Sequence, residues 1–300
     1  MKNIHVRLME GVGDQLYSRP FIKELSKTHT IYLEAVLPSL FKDIENIKYV
    51  DPNKVTYRTQ QKQRKSESVE YHKVPEGTEL IHPYYTGEDL NTKSIIAFMY
   101  DKFKIPYSTE LEWSLPDFSD EFREFEEQLP SNQKIAIIRP ATIRAEWIVE
   151  TRNPNPNYIA WCCKVLNEAG YYTISIADLE VKKEWLAEGI DTPAQLKLHK
   201  GELGIYGTLE LLKRASIVVG GSGFIIPASA CANVPQFIMF GGRMKFDSVY
   251  KVFHPSMNLK QIGYAIPDNP CKCTFAKHNC DKTISNLDER FYDFLRTIND

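Results

Sequence analysis

The chain alternates short, uniformly apolar stretches with longer stretches whose apolar residues recur at helical spacing. Near the N-terminus, residues 3–8 and 30–36 are strand-like and flank a helix-like segment, residues 15–27. The same order returns over residues 134–177 and continues to residue 242. Strands that are apolar throughout are typical of parallel sheets covered by helices on both faces. We therefore predict an α/β chain of two doubly wound, Rossmann-like domains that face a central cleft.

An acidic segment, residues 117–133, separates the two series. It is helix-like at first and then runs into a Leu-Pro-Ser-Asn sequence, and a proline followed by small polar residues is typical of a break between structured elements. The predicted boundary lies near Pro130, between a domain over residues 1–130 and a second over residues 131–283.

Composition narrows the classes of partner. The 37 basic and 39 acidic residues give a formal net charge of -2, which offers no whole-chain attraction to nucleic acid or to an anionic membrane. The longest apolar stretch, residues 224–240, is interrupted by two prolines, Asn233 and Gln236 and predicts no transmembrane segment. The N-terminus lacks the apolar core of a signal peptide, and the six cysteines do not form an even disulfide framework, so we expect a cytoplasmic protein with reduced thiols.

The turn after the first predicted strand contains Gly11, Gly13 and Asp14. Doubly wound folds bind ligands beyond the carboxyl ends of their strands, so chemistry is expected in such turns. Asp14 has two interpretations, a helix N-cap and a carboxylate held at the cleft as a general base. Leu16 stands where the third glycine of the dinucleotide fingerprint belongs, which argues against an NAD enzyme.

A second glycine-rich turn lies within residues 219–230 and precedes a helix-like segment. Its glycines bring the backbone close to a ligand, and the helix that follows offers N–H groups and a positive dipole end, which suit a diphosphate. The alternative is a tight turn that only packs the helix against its sheet. Phe224 replaces the last glycine of a G-x-S-x-G motif, so Ser222 is not predicted to be a hydrolase nucleophile, and the sequence contains no P-loop pattern.

Residues 5–25 and 204–242 together resemble the heptosyltransferase-like glycosyltransferases of glycosyltransferase family 9. The resemblance implies the two-domain GT-B fold, in which residues 1–130 bind the acceptor and residues 131–283 bind a nucleotide-sugar donor. It also implies that the C-terminal helix, within residues 284–300, crosses back onto the first domain. The family's Asp-Ser/Thr-Gly-Pro-x-His turn appears here as Gly-Ser-Gly-Phe-Ile-Ile, without the acidic residue and the histidine.

The resemblance implies roles for particular residues. Asp14 matches the carboxylate that deprotonates the acceptor hydroxyl, and Arg144 matches the cation on the donor diphosphate, where a guanidinium would stabilise the leaving group. A solvated surface arginine is the alternative for Arg144, and a helix cap is the alternative for Asp178, which could otherwise bind the ribose hydroxyls. The predicted donor-binding set is Gly13, Arg139, Thr142, Arg144, Asp178, Ser222, Gly223 and Phe224.

The predicted reaction is a direct, inverting displacement at the anomeric carbon of the sugar. The chain contains no D-x-D motif, the usual carboxylate pair for a metal-bound diphosphate, so we expect no catalytic metal or other catalytic cofactor. A sugar-nucleotide epimerase on the same fold and a non-catalytic binding module remain as alternatives.

The acceptor is predicted to be a saccharide or a lipopolysaccharide-type glycan. Residues 54–73 carry six basic and two acidic side chains in a polar loop, and such a run is either a solvated loop or a grip for an anionic acceptor. The residues assigned to acceptor binding are Arg58, Lys62, Arg64 and Lys65. A nucleic-acid backbone would fit the same charges, so a DNA-modifying glycosyltransferase acting on a hydroxylated, flipped base is a second hypothesis.

A cysteine-rich segment near the end of the chain contains Cys271, Cys273, His278 and Cys280. Four such ligands are the number that structural zinc needs, but the Cys-x-Cys and His-x-Cys spacings differ from the common zinc motifs. Packing of the thiols and an oxidation-prone cluster are the alternatives.

Overall fold

A computed structural model describes residues 1–243, 248–271 and 273–299. The chain divides into two compact units. Unit 1 comprises Met1–Asp117 together with Tyr250–Met257, and unit 2 comprises Phe118–Val249 together with Asn258–Asp300. The predicted alternation of strands and helices is confirmed in both units.

The elements of unit 1 form one parallel sheet with flanking helices. In chain order they are β1 (Lys2–Arg7), α1 (Val12–Ser26), β2 (His29–Glu34), β3 (Ile47–Val50), α2 (Arg58–Arg64), β4 (Glu79–Ile81) and α3 (Ile95–Phe103). The strand order is β3-β2-β1-β4, and every pair is parallel. The central strands β1 and β2 supply fully buried residues such as Val6 and Leu33, as expected for a sheet covered by helices.

Unit 2 contains a larger parallel sheet. Its elements are α4 (Arg123–Glu126), β5 (Ile135–Arg139), β6 (Thr142–Arg144), α5 (Pro156–Glu168), β7 (Tyr172–Ile176), β8 (Glu184–Leu186), β9 (Leu196–Leu198), α6 (Gly204–Lys213), β10 (Ile217–Gly221), α7 (Ile225–Ala232), β11 (Gln236–Met239), α8 (Val249–Val252, which passes into unit 1), β12 (Ile262–Ala265) and α9 (Leu287–Asn299). The six-stranded order is β12-β11-β10-β5-β7-β9, and β6 pairs with β8 in a separate antiparallel ribbon. Among the described residues, no helix has the length and apolar character needed to cross a membrane.

In each parallel sheet, the chain first adds strands on one side of its first strand and then adds the next strand on the other side. In unit 1 the chain moves from β1 outward to β3 and then returns to place β4 on the other side of β1. In unit 2 it moves from β5 outward to β9 and then places β10 on the other side of β5. The loops leaving the two strands at such a switch point diverge, which opens a crevice that favours ligand binding.

The boundary between the two units lies between Asp117 and Phe118, earlier in the chain than the predicted boundary near Pro130. Phe118 begins unit 2 because its ring stacks on Tyr206 of α6 at 4.5 Å and its N–H donates to the Glu210 carboxylate at 3.1 Å. Phe122 is buried as well. The apolar residues inside the acidic segment therefore anchor it to unit 2, and the proline marks an internal turn.

The C-terminal helix also differs from the prediction. Instead of crossing back to unit 1, α9 packs within unit 2, where Phe291 lies 4.9 Å from Phe237 of β11 and 5.8 Å from Trp161 of α5, measured between ring centroids. Gly263 of β12 permits this close packing, because a Cβ there would lie 2.6 Å from the Phe294 ring. The segment that belongs to unit 1 is Tyr250–Met257, whose Val252 carbonyl accepts a hydrogen bond from Tyr17.

The basic segment predicted as a polar loop contains a helix, α2. Its start is held by Glu10, whose carboxylate accepts hydrogen bonds from the Thr56 hydroxyl at 2.5 Å and the Tyr57 N–H at 2.6 Å. A carboxylate at a helix N-terminus satisfies unpaired N–H groups and complements the helix dipole. Glu10 lies 46 residues from Thr56, so local sequence could not reveal this cap.

Candidate active site

Asp14 lies at the switch point of unit 1. It follows β1 and occupies the first turn of α1, and its carboxylate accepts a hydrogen bond from the hydroxyl of Tyr85, which follows β4. The N-cap interpretation is wrong, because Gly11 is the N-cap residue and makes no side-chain cap. A Cβ on Gly11 would lie 2.3 Å from Asp14 Oδ2, so the carboxylate folds back against this glycine. The two strands β1 and β4 thus bring a carboxylate and a phenol together.

Tyr85 was not among the predicted site residues. Its ring packs edge-on against Phe98 of α3, with 6.0 Å between ring centroids, and this contact helps to hold the phenol in place. A hydroxyl that donates to a carboxylate fixes the orientation of that carboxylate. No motif surrounds Tyr85 in the sequence, and only the pairing of β4 with β1 places it beside Asp14.

The switch point of unit 2 brings Arg139, the last residue of β5, against Gly220 of β10. A Cβ on Gly220 would lie 2.9 Å from Arg139 Cβ and 2.8 Å from Ile225 Cδ1, and one on Gly221 would lie 2.9 Å from Pro154 Cδ. Both glycines belong to the strand, so the turn between β10 and α7 consists of residues 222–224. Glycine is required at these two positions because neighbouring atoms lie too close to the backbone for a Cβ. This close packing allows α7 to begin directly beside the end of β5.

The turn presents polar groups that the described part of the chain does not use. The Ser222 hydroxyl oxygen is buried and has no hydrogen-bond partner among the described residues. The N–H groups of Ser222, Gly223 and Phe224 donate to no described backbone or side-chain acceptor. Among the described residues, the nearest atom to a Cβ on Gly223 would be the Gly221 carbonyl oxygen, at 4.0 Å, which leaves space for a ligand beside this residue. Unpaired N–H groups at the start of a helix bind anions such as phosphate.

Glu184 holds the predicted donor-binding cations. Its carboxylate accepts from Arg139 Nη2 at 2.8 Å and from the Thr142 hydroxyl at 2.8 Å, and it pairs with Arg144 Nε at 3.2 Å. Burial opposes ionisation of this side chain, which is 1% exposed, but the two guanidinium groups outweigh burial and lower the pKa of Glu184 from its ordinary value. The structure therefore brings three of the predicted residues together through a buried carboxylate that the sequence analysis did not identify.

Two further arginines lie near this edge of the sheet. Arg152 stacks on Trp147, with its guanidinium carbon 4.8 Å from the ring centroid, and Arg243 follows the Gly241–Gly242 turn after β11. The Arg243 N–H donates to the Thr151 carbonyl at 3.1 Å, and a Cβ on Gly241 would lie 2.4 Å from the Arg152 carbonyl oxygen. Neither arginine was predicted, because their proximity depends on the tertiary packing of residues about 90 positions apart.

The remaining predicted donor-site residues occupy different environments. Asp178 is buried after β7, and a Cβ on Gly201 would lie 2.8 Å from its Oδ1, so its carboxylate sits against the turn that leads to α6. Gly13 lies in α1 of unit 1, whereas the other donor-site residues lie in unit 2.

The basic residues assigned to the acceptor all lie on or next to α2. Arg64 is the last residue of this helix and pairs with Asp51 at 2.5 Å, with its guanidinium 5.6 Å from the Tyr71 ring centroid. Lys62 and Lys65 are exposed, and Arg58 begins the helix. The Glu10 contact places the start of α2 beside the loop that leads to Asp14.

The four residues of the cysteine-rich segment are brought together. One ligand atom from each of Cys271, Cys273, His278 and Cys280 lies within 4.8 Å of the others. The segment follows β12 and precedes α9.

Comparison with known proteins reveals a shared fold. No protein-family model matches the sequence, and no curated protein is similar to it. The ADP-heptose LPS heptosyltransferase II of E. coli is similar with a TM-score of 0.58 at 14% identity, over 99% of this chain and 98% of that chain. A glycosyl transferase family 9 protein from Veillonella parvula gives 0.56 at 11% identity, over 79% and 80%. The iron-containing dodecameric glycosyltransferase TibC of enterotoxigenic E. coli gives 0.58 at 12% identity, over 99% and 76%.

The TM-scores of 0.56 to 0.58, at identities of 11% to 14%, establish similarity of fold alone. The resemblance to glycosyltransferase family 9 is therefore confirmed at the level of the fold, across nearly the whole chain. TibC has also been solved with ADP-D-beta-D-heptose, and the E. coli heptosyltransferase WaaC with ADP. None of the structures named here is a DNA-modifying enzyme or an epimerase, so these alternatives gain no support.

Glu184→Gln should destabilise the protein by about 2 to 4 kcal/mol at neutral pH, because it leaves two partly buried guanidinium groups without their counter-charge. A carboxyl with a lowered folded-state pKa stabilises above its unfolded pKa of 4.5 and loses that effect as pH falls through the folded value. The difference in unfolding free energy between wild type and variant should therefore be constant near neutrality and shrink below about pH 4.5. Urea denaturation across this range measures it.

Glu168→Gln is the matched control, because Glu168 is 64% exposed and only pairs with Lys164 at 3.8 Å. Its effect should stay below about 1 kcal/mol. A Glu184 variant as stable as the Glu168 variant would contradict the buried-carboxylate account.

Proposed function

We propose that this chain is a glycosyltransferase that binds the diphosphate of a nucleotide sugar at the switch point of unit 2. The observation that carries the proposal is the contact between the end of β5 and the end of β10, where Arg139 meets Gly220 beside the unused N–H groups of the turn at residues 222–224. This arrangement combines a helix N-terminus with a guanidinium cluster, and both favour phosphate oxygens.

The charge of the cluster suits a diphosphate. Arg139 and Arg144 contribute two positive charges to the cluster, and Glu184 contributes one negative charge. The start of α7 adds roughly half a positive charge through the helix dipole. Arg152 supplies a further cation on the neighbouring turn. Positive groups of this kind favour the phosphate oxygens of a sugar-linked diphosphate.

ADP-heptose is the first donor to test, since the heptosyltransferases of similar fold have been studied with ADP and ADP-heptose. Asp178 is proposed to bind the ribose hydroxyls at the end of β7. The acceptor is proposed to be a hydroxyl of a saccharide or lipopolysaccharide-type glycan, and Arg58, Lys62 and Lys65 of the α2 region are proposed to bind its anionic groups.

The proposed reaction is a single displacement. Asp14 takes the proton of the acceptor hydroxyl, and the acceptor oxygen forms a bond to the anomeric carbon. The bond from that carbon to the diphosphate oxygen breaks, and its electron pair leaves with the nucleoside diphosphate, whose charge Arg139 and Arg144 stabilise. Attack opposite the leaving group inverts the anomeric configuration.

Asp14→Asn should lower kcat by roughly 10²-fold or more and leave donor affinity nearly unchanged, because the amide cannot accept the proton. Turnover of ADP-heptose with a heptose-deficient lipopolysaccharide core measures the loss. The assay contains no added Mg²⁺ or Mn²⁺, since the proposed chemistry uses neither ion.

Glu88→Gln is the control in this assay, because it neutralises an exposed carboxylate near Tyr85 in the same unit. Equal turnover of Asp14→Asn and Glu88→Gln would remove Asp14 from the mechanism. Wild-type activity that appeared only after addition of Mn²⁺ would contradict metal independence.

Arg144→Ala should weaken ADP binding roughly 10- to 100-fold, since a hydrogen bond to a charged group contributes about 1.5 to 3 kcal/mol. Isothermal titration calorimetry measures the affinity directly. Arg214→Ala serves as the control, because Arg214 also lies in unit 2 but pairs with Glu126 at 2.8 Å on α4. If both variants bound ADP like wild type, Arg144 would not contact the diphosphate.

A further inference from the structure

The cysteine-rich segment between β12 and α9 contains an arrangement that the proposed transfer reaction does not use. The Sγ atoms of Cys273 and Cys280 lie 3.5 Å apart, Cys271 Sγ lies 3.6 Å from His278 Nδ1, and His278 Nδ1 lies 3.3 Å from Cys280 Sγ. No two of the four ligand atoms are separated by more than 4.8 Å. All described cysteines are free thiols.

These separations are close to the edges of a coordination tetrahedron. Bonds of about 2.3 Å from zinc to sulfur and 2.0 to 2.1 Å to nitrogen place ligand atoms about 3.5 to 3.8 Å apart at tetrahedral angles. A disulfide, in contrast, would need the two sulfur atoms at about 2.05 Å. The unusual sequence spacing therefore does not prevent convergence, because the chain turns back between Cys273 and His278.

We propose that Cys271, Cys273, His278 and Cys280 form a tetrahedral site for a borderline-soft divalent metal ion, Zn²⁺ or Fe²⁺. Three thiolates and one imidazole exclude the hard ions Mg²⁺ and Ca²⁺, which take oxygen ligands, and tetrahedral sulfur-rich sites are typical of zinc and iron. Binding releases the thiol protons, leaving a closed site with four protein ligands and no open position for substrate. The ion is structural.

The proposed metal site packs against the loops that carry Arg152 and Arg243. A Cβ on Gly242, next to Arg243, would lie 2.1 Å from Cys280 Cβ, so this turn packs directly on a metal ligand. The Thr151 hydroxyl, next to Arg152, donates to the Phe275 carbonyl at 2.7 Å. Metal binding therefore orders the turns before Arg152 and Arg243. The effect of this order on ADP binding rests on the proposed donor site.

Metal content of the wild-type protein tests the site without reference to activity. Protein purified under reducing conditions should contain about one Zn²⁺ or Fe²⁺ per chain by elemental analysis. Replacement with Co²⁺ should give the visible absorption bands of tetrahedral cobalt together with thiolate-to-cobalt charge transfer. A chain with less than a tenth of an equivalent of metal that also fails to bind Co²⁺ would overturn the proposal, as would a Cys273–Cys280 disulfide in the reduced preparation.

Cys271→Ser and His278→Ala test the ligand set at its more accessible positions. Each variant should lose most of the metal. Added zinc should raise the melting temperature of the wild-type protein and leave that of each variant unchanged. Cys231→Ser is the control, because Cys231 is buried on α7 outside the cluster and its loss should not change metal content. Retention of a full equivalent by both ligand variants would overturn the assignment.

The effect of the metal on the two arginine-bearing turns is tested separately, by measuring ADP affinity. Metal removal should weaken ADP binding several-fold while Arg214→Ala does not. If the chain binds metal but not ADP, the metal site stands and the donor site fails. If ADP affinity is the same with and without metal, the proposed effect of the metal on these turns is wrong.

Discussion

Parallel strand pairing brings the carboxyl ends of β5 and β10 to one edge of the sheet, and the absence of a side chain on Gly220 lets them touch there. Any residue with a Cβ at this position would collide with Arg139 and Ile225. The start of α7 could then not lie against the end of β5. The proposed donor site, and with it the proposed chemistry, depends on this contact.

Glu184 imposes a second constraint, on the cations. Without it, two arginines close together would repel each other and turn toward solvent. With it, Arg139 is fixed by bonds to a carboxylate, to the Thr142 hydroxyl and to the Ile176 carbonyl. The carboxylate lowers the net positive charge but supplies preorganisation, which is what electrostatic stabilisation of a leaving group requires. The Asp14–Tyr85 pair follows the same principle at the other switch point.

Sequence predicts those features that depend on local signals. Short apolar strands, glycine turns and the positions of Asp14 and of residues 222–224 are encoded within a few residues of one another. Glu184 and Tyr85 could not be found this way, because each is matched to its partners only by strand pairing. The same reason explains α2, whose cap comes from Glu10 far along the chain, and α9, whose apolar stripe predicts burial without indicating against which unit.

A crystal structure of the protein with ADP tests the central claim most directly. The account predicts that the diphosphate lies at the β5–β10 edge, with phosphate oxygens within about 3.2 Å of the N–H groups of Ser222, Gly223 or Phe224 and with Arg144 in contact. A diphosphate bound elsewhere on the chain, or held at this edge only through a Mg²⁺ or Mn²⁺ ion, would contradict it.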